Sequence, residues 1–276
     1  MTAALELPAT LAANVHNRWP GQGAVWVEDV MRQLVQLCAR YEAEPHRLMP
    51  ARFGLVVAVS SPRGPLIMKS TPDPAGPIQA AFARRFADLR MAPTVHEVAT
   101  NVTGTWTVMD RVCPGDTLET ANPSTGLQDH LITLLHSMIN QTALPGEAPD
   151  VADWLMARLV DPGLSDMPPT QTPAAAAERV SALETLHSLR ESSPGDLCHG
   201  DANLGNILVG EQGRLWWIDP RGVRGEVAYD VAVLALKIAS GLGTDPEDLA
   251  AALAHEVGVD PRRTCGWVEV AQAARV

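Results

Sequence analysis

The chain has 276 residues, 46% of them apolar, so it is long enough for one large domain or two lobes with a sizeable core. Its formal net charge of −11 argues against a nucleic-acid partner, because phosphate contacts need clustered Lys and Arg, which this sequence lacks. An acidic chain instead suits a cationic small-molecule substrate.

Helical and strand-like segments alternate in the first hundred residues. Leu7, Leu11 and Val15 recur at helical spacing, and a second periodic segment covers residues 27–38. Residues 54–60 (GLVVAVS) then predict a strand, followed by a turn at 61–64 and a return strand that ends at Lys69. A helix is expected after Lys69, because apolar residues at 78, 82, 86 and 89 again fall on one face.

Two more strands, at residues 95–99 and 105–108, complete the β-rich part of the chain. Pro114 and Gly115 are expected to end the strand pattern, which makes 109–115 a candidate hinge. Beyond it, helices are predicted at 127–139, 154–160, 174–189 and 228–238, with a surface loop at 167–173 and a hairpin at about 198–219. The predicted fold class is α+β with two lobes, a small β-rich N-lobe and a larger, mainly helical C-lobe.

The four cysteines are far apart and form no C-x-x-C pair, so neither a zinc site nor a disulfide framework is predicted. The first residues lack the basic start and apolar core of a signal peptide, and no run reaches about 18 apolar residues. We therefore expect a cytoplasmic protein without a membrane partner.

The chemistry is carried by the segment CHGDANLGNIL at 198–208 and by WWIDP at 216–220. Asp201 and Asn206 lie five residues apart on a Gly-containing loop. The strand after Asn206 turns at Glu211-Gln212-Gly213, and the return strand is expected to bring Asp219 back beside Asn206. Three groups able to hold protons or a metal ion are therefore predicted to converge.

Phosphoryl transfer from ATP needs this set of groups. Asp201 can orient the attacking hydroxyl and accept its proton, while Asn206 and Asp219 can hold Mg²⁺ against the phosphates. Lys69 can contribute a cation to the α- and β-phosphates. The alternatives are a Gly-rich loop with capping polar residues and, for Lys69, a solvated lysine on an edge strand.

The pattern H-G-D-x-x-x-x-N-[IL]-L followed by I-D-P resembles the motif pair of the aminoglycoside phosphotransferase family. The continuation from Ile218 to Asp230 is similar to that of the streptomycin 6-phosphotransferase and aminoglycoside/hydroxyurea kinase group, and residues 197–230 are its most distinctive part. The resemblance implies a protein-kinase-like fold, with a nucleotide-covering lobe at 1–111 and a catalytic and substrate-binding lobe at 112–276.

The resemblance also implies an ATP- and Mg²⁺-dependent transfer to a hydroxyl of a small molecule, most closely an aminoglycoside such as streptomycin. Adenine would contact the hinge backbone from Asp110 to Val112. His199 and Asp230 would be structural supports of the catalytic loop.

Two features depart from the family pattern. Gln79 stands where a Glu that pairs with the lysine is expected, and a neutral amide orients Lys69 less strongly than a carboxylate. No Gly-rich or Ser-rich phosphate loop precedes Lys69. Two alternatives therefore stay open: a metabolic kinase of the same fold acting on an amino sugar, choline, hydroxyurea or a similar alcohol, and a nucleotide-binding pseudokinase.

Two further groups of residues receive structural interpretations. Trp216 and Trp217 alternate across a strand, so one ring is expected in the core. Four acidic residues are expected to be solvated on helix faces rather than to form an anionic substrate wall. They are Glu226, Asp248, Glu256 and Glu269.

Overall fold

The computed structural model describes residues 5–121, 126–143, 148–161, 172–191 and 194–276. Within these ranges the chain divides into two compact units, the first ending at Val112 and the second beginning at Cys113. Most of the loop expected at 167–173 lies outside the described residues. Across the described ranges, no helix has the length and apolar character needed to span a membrane.

The first unit is an antiparallel sheet of five strands with three helices. Its elements are α1 (Ala9–Arg18), α2 (Pro20–Arg40), β1 (Glu44–Leu48), β2 (Leu55–Ser61), β3 (Gly64–Thr71), α3 (Gly76–Asp88), β4 (Val95–Asn101) and β5 (Gly104–Asp110). The strand order is β1-β2-β3-β5-β4, so β3, which carries Lys69, is the central strand. Strand β1 was not predicted, because none of its residues is buried and it leaves little apolar signal in the sequence.

Helix α2 packs one apolar face into the core of this unit. Pro20 opens the helix, where its missing N–H costs no hydrogen bond, and Trp26, Val30 and Leu34 are buried at a spacing of four. They share one buried cluster with strand residues that include Met68. The indole N–H of Trp26 donates to the hydroxyl of Ser70 at 2.9 Å, next to Lys69. The helix thereby fixes the strand that carries the lysine.

The second unit is mainly helical, with two small antiparallel sheets among its described residues. Its elements are β6 (Pro114–Thr117), α4 (Leu127–His136), α5 (Val151–Val160), α6 (Ala176–Glu191), β7 (Asp196–Leu197), β8 (Ile207–Gly210), β9 (Leu215–Trp217), β10 (Arg224–Gly225), α7 (Val227–Leu242), α8 (Pro246–Val257) and α9 (Pro261–Ala273). Strands β6, β8 and β9 form one sheet, and β7 pairs with β10. The predicted fold class, a β-rich lobe followed by a helical one, is confirmed.

Two local expectations need correction. Pro114 was expected only to end the strand pattern, whereas it also begins β6, where a residue without an N–H is tolerated. The pair β7 and β10 was not predicted, because strands of two residues leave no periodic signal.

Helix α7 is the central helix of the second unit. Every residue from Val227 to Ala235 is buried, and the helix packs against α8 and α9. The side chains of Asp245 and Asp260 cap α8 and α9 by accepting backbone N–H groups of their first turns. This packing fixes the N-terminal turn of α7, which faces the loop described next.

Candidate active site

The loop between β7 and β8 carries the first two predicted site residues. The side-chain oxygen of Asn203 accepts the N–H groups of Gly205 at 2.9 Å and Asn206 at 3.2 Å, which caps a 3-10 turn over Leu204–Asn206. The Asn203 amide nitrogen also donates to the carbonyl oxygen of Asp201 at 3.1 Å. Asn203, which sequence reasoning did not single out, thus fixes the loop from within.

The structure brings Asp201, Asn206 and Asp219 together. The amide nitrogen of Asn206 donates to the carbonyl oxygen of Asp201 at 2.9 Å. The carbonyl oxygen of Asn206 accepts the N–H of Ile218 at 2.9 Å, which extends the β8-β9 pairing to the residue before Asp219. Asp219 itself has φ of 60°, the left-handed region that Asp tolerates better than most residues. The hairpin therefore places the residue before Asp219 beside Asn206, and a separate hydrogen bond joins Asn206 to Asp201.

His199 supports Asp219 through its neighbour in the chain. Its ring Nε2 donates to the carbonyl oxygen of Ile218 at 2.9 Å, and its ring lies 4.5 Å from that of Trp217. Burial lowers the pKa of His199 to about 4, so the ring is neutral at neutral pH. Trp217 is fully buried, as expected for one of the two tryptophans.

Asp230, in the first turn of α7, anchors the loop that carries Asp201. Its carboxylate accepts the backbone N–H groups of His199 at 2.8 Å and Gly200 at 2.9 Å. Burial raises the pKa of Asp230 to about 7, although these two N–H donors act in the opposite direction. The two residues that immediately precede Asp201 are thus anchored to a helix of the core.

Arg221 is a site residue that sequence reasoning missed. Its guanidinium Nη2 lies 3.2 Å from Oδ2 of Asp201, and its Nε donates to the carbonyl oxygen of Gly200 at 3.2 Å. Both side chains of the ion pair are partly exposed. The sequence signal was the arginine directly after Ile218-Asp219-Pro220, and only the fold shows that it turns back to Asp201.

The donor set fits a magnesium ion. Because the Asn206 amide nitrogen is engaged by Asp201, its side-chain oxygen is the atom left to act as a ligand. The carboxylate of Asp219 would supply a second oxygen ligand. Mg²⁺ is commonly held by one or two protein oxygens together with water and phosphate oxygens. In the described part of the chain, no group of three or more His, Cys, Asp or Glu is placed to hold a metal ion.

The remaining predicted residues lie in the first unit. Lys69 is partly buried on β3, opposite Val56 on one side and Thr107 on the other. Asp110 ends β5, and its N–H donates to the carbonyl oxygen of Thr94 at 2.9 Å. The Arg111 N–H likewise donates to the Pro65 carbonyl oxygen, at 3.0 Å. Val112 follows as the last residue of the unit.

Gln79, in the first turn of α3, has a partner of its own. Its amide nitrogen donates to Oδ2 of Asp73 at 3.1 Å. The other carboxylate oxygen of Asp73 accepts the N–H of Ala75 at 2.8 Å, just before the helix begins. The neutral amide is thus matched to a nearby carboxylate.

One of the four acidic residues does not behave as expected. Glu226 was interpreted as solvated, whereas it is buried and accepts the Nε of Arg263 at 2.8 and 2.6 Å. The indole N–H of Trp267 also donates to it, at 2.8 Å. The correction has a physical reason: Arg263 and Trp267 come from α9, and the sequence gives no sign that this helix packs on the start of α7.

Residues 155–275 match a family model described as "Aminoglycoside/hydroxyurea antibiotic resistance kinase". No curated protein sequence matches the chain. The chain is similar in structure to a type VIII aminoglycoside-3'-phosphotransferase, with 18% identity and a TM-score of 0.60, over 87% of this chain and 97% of that one.

Two other solved structures show the same fold. Aminoglycoside phosphotransferase APH(3'')-Id from Streptomyces rimosus, in complex with ADP and streptomycin, has 15% identity and a TM-score of 0.57, over 89% of this chain and 98% of that one. A choline/ethanolamine kinase family protein from Mesorhizobium loti has 16% identity and a TM-score of 0.55, over 86% of this chain and 90% of that one. The match of residues 155–275 to this family model, together with the shared fold, confirms the resemblance to aminoglycoside phosphotransferases seen in the sequence.

Proposed function

We propose that the protein transfers the γ-phosphoryl group of Mg²⁺-ATP to a hydroxyl of a small molecule, with an aminoglycoside such as streptomycin, at its 6-hydroxyl, as the first candidate. One observation carries the proposal. A hydrogen bond joins Asn206 to Asp201, and a second one joins Asn206 to Ile218, the residue before Asp219. This set combines one proton acceptor with two oxygen ligands, as phosphoryl transfer requires.

Asp201 is the proposed catalytic base. Its carboxylate accepts the proton of the acceptor hydroxyl while the oxygen–phosphorus bond forms and the bond from the γ-phosphorus to ADP breaks. A carboxylate has about four lone-pair sites, so the contact with Arg221 leaves room for the hydroxyl. Asn206 and Asp219 would hold Mg²⁺, which neutralises charge on the phosphates when bound.

The first unit supplies the proposed nucleotide contacts. Lys69 is assigned to the α- and β-phosphates, because it lies on the central strand and is the family's lysine by position. The backbone from Asp110 to Val112 is assigned to adenine. Since the N–H groups of Asp110 and Arg111 are engaged by Thr94 and Pro65, Val112 is the position to which the adenine contact is assigned. In this proposal residues 1–111 cover the nucleotide, and residues 112–276 carry out catalysis and bind the acceptor.

A second candidate is a metabolic kinase that phosphorylates a less cationic alcohol. Arg221 pairs with Asp201, and Lys237 is close enough to interact electrostatically with the same carboxylate. Glu226, one of the acids that a polycationic acceptor could use, is already paired with Arg263. A site with this charge balance favours neutral or singly charged acceptors more than an acidic wall would.

The test is the formation of phosphorylated product, followed by mass spectrometry, with Mg²⁺-ATP and a panel of acceptors. The panel contains streptomycin, other aminoglycosides, amino sugars, choline and hydroxyurea. The variants Asp201→Asn, Asn206→Ala and Asp219→Asn are each expected to lower kcat by about 10²-fold or more. Asp248→Asn, an exposed acid on α8, is the matched control and is expected to leave kcat unchanged.

The acceptor that is used decides between the candidates. Turnover with streptomycin, with the phosphate on its 6-hydroxyl, would support the first. Turnover confined to amino sugars, choline or hydroxyurea would support the second. Nucleotide-dependent thermal stabilisation without product from any acceptor would contradict both and would favour a pseudokinase.

A further inference from the structure

We propose that Arg221 and Trp154 are positioning residues that hold the carboxylate of Asp201 in the orientation needed to accept a proton. The inference rests on the proposed function, in which Asp201 is the catalytic base. Arg221 lies within the distinctive segment 197–230, but the sequence assigned it no role there, and Trp154 lies one residue before the segment that matches the family model.

Arg221 is tied to the catalytic loop through both its backbone and its side chain. Its backbone N–H donates to the carbonyl oxygen of His199 at 2.9 Å, and its Nε donates to the carbonyl oxygen of Gly200 at 3.2 Å. A third contact joins Nη2 to Oδ2 of Asp201 at 3.2 Å. Three successive residues of the loop are therefore bound to one arginine. The guanidinium has little freedom to move without the carboxylate.

Trp154 provides the surface on which this guanidinium rests. The Cζ atom of Arg221 lies 4.4 Å from the centroid of the Trp154 ring, within the range of a cation–π contact. The ring is itself well placed, since α5 begins with a side-chain cap in which Asp150 accepts the N–H of Ala152 at 2.9 Å. Leu155, the next residue, is fully buried and fixes the helix against the core.

A second guanidinium contacts the same ring. The Cζ atom of Arg158 lies 4.7 Å from the Trp154 centroid, and the residue is only 6% exposed. Its Nε and Nη2 donate to the carbonyl oxygens of Ala274 and Arg275, at 3.4 and 3.3 Å. Trp154 is thus held between the helical core and two cations. Because the ring is held in place, it limits the orientations of the Arg221 guanidinium that packs on it.

The contribution is to geometry rather than to folding stability. The Arg221 and Asp201 side chains are 24% and 32% exposed, and ion pairs at this level of exposure add little to the free energy of folding. Catalysis is more sensitive, because a displacement of about 1 Å at a reacting group can cost roughly 100-fold in rate. Loss of Arg221 or of the Trp154 ring should therefore lower kcat strongly, whereas the free energy of unfolding and KM should change little.

The experiment measures kcat and KM separately for Arg221→Ala, Arg221→Lys, Trp154→Phe and Trp154→Leu, with the best acceptor of the panel. Arg221→Ala is expected to lose about 100-fold in kcat with an acceptor KM within about threefold of the wild type. Arg221→Lys should be intermediate, because it keeps the charge but loses the planar fork. Trp154→Phe should keep most activity, whereas Trp154→Leu should lose about tenfold.

Two further measurements separate positioning from a general structural effect. Free guanidinium ion added to Arg221→Ala should restore activity severalfold, and it should not restore Asp201→Ala. The matched control is Arg214→Ala. Arg214 makes an equivalent contact on the β8-β9 hairpin, with its Cζ atom 3.9 Å from the centroid of the Trp216 ring. That variant should keep kcat.

The possible failures are distinguishable. An active wild type with an unchanged kcat in Arg221→Ala, or with a rise in KM alone, would overturn the positioning role and leave the proposed function intact. The positioning role would also be overturned if free guanidinium did not restore the activity of Arg221→Ala although this variant melts at the wild-type temperature. A wild type that makes no product with any acceptor would overturn both proposals.

Discussion

The carboxylate of Asp230 accepts the backbone N–H of His199 at 2.8 Å, and this contact joins the most buried helix of the second unit to the loop that carries Asp201. The same carboxylate accepts the N–H of Gly200 at 2.9 Å. Neither N–H belongs to a strand or helix, so each depends on Asp230 for its hydrogen bond. Helix α7 therefore determines the course of the chain immediately before the proposed base.

Replacing Asp230 tests this anchor. Asp230→Asn keeps one oxygen but turns an NH₂ group toward an N–H donor, so one buried hydrogen bond is replaced by a repulsive contact. We expect the free energy of unfolding to fall by about 2 kcal/mol and kcat to fall with it. Urea unfolding measures the first quantity. The exposed Asp248→Asn on α8 should change neither, and an unaltered kcat in Asp230→Asn would contradict the anchor.

The raised pKa of Asp230 predicts a pH dependence of stability. Burial raises its pKa from 3.8 to about 7, so between these values the folded state binds more protons than the unfolded state. The free energy of unfolding should therefore fall as pH rises through this window, by roughly 1.4 kcal/mol per pH unit at most. In Asp230→Asn, the free energy of unfolding, measured with urea at several pH values, should not show this decrease. Identical slopes in the two proteins would refute it.

His199 should contribute a slope of the opposite sign. Burial lowers its pKa from 6.5 to about 4, so between these values the unfolded state binds more protons. Stability from His199 is therefore present above pH 6.5 and is lost as pH falls toward 4. The two slopes partly cancel in the wild type. In Asp230→Asn only the His199 contribution remains, so the free energy of unfolding should rise with pH. In His199→Gln only the Asp230 contribution remains, so it should fall with pH. Parallel profiles for these variants would contradict the assignment.

Gly200 is the position where the loop tolerates least change. Its φ is 80°, and a Cβ there would lie 2.5 Å from Cγ2 of Val223 and 3.0 Å from Cβ of Arg221. Gly200→Ala should push Arg221 away from Asp201 and lower both stability and kcat, the latter by about tenfold or more. Gly21→Ala, in α2, should be neutral or slightly stabilising, because a Cβ there would meet no atom within 4 Å beyond its chain neighbours and its own helix backbone. Thermal unfolding and steady-state kinetics compare the two, and equal effects would contradict the steric argument.

The sequence predicted those parts of the protein that depend on local spacing. Asp201, Asn206 and Asp219 lie within nineteen residues of one another, and a hairpin follows from the strand–turn–strand pattern between them. The contacts made by Trp154 and Arg221, or by Glu226 and Arg263, join residues 67 and 37 positions apart, which no local pattern encodes. Strand β1 was missed for a related reason, because its residues are polar and half-exposed and only pairing with β2 defines them.

The contact between Gln79 and Asp73 leads to a prediction about the family's missing glutamate. Gln79→Glu would restore the residue type that the family pattern expects, but its carboxylate would lie about where the amide now donates to Asp73, at 3.1 Å. Two carboxylates at this distance cannot both ionise without a penalty. We therefore expect Gln79→Glu to lower the melting temperature and to bring no gain in kcat. The double variant Asp73→Asn/Gln79→Glu removes the repulsion and should recover stability, because the Asn amide can donate to the new carboxylate. A single variant with higher kcat and unchanged melting temperature would show instead that the glutamate turns away from Asp73.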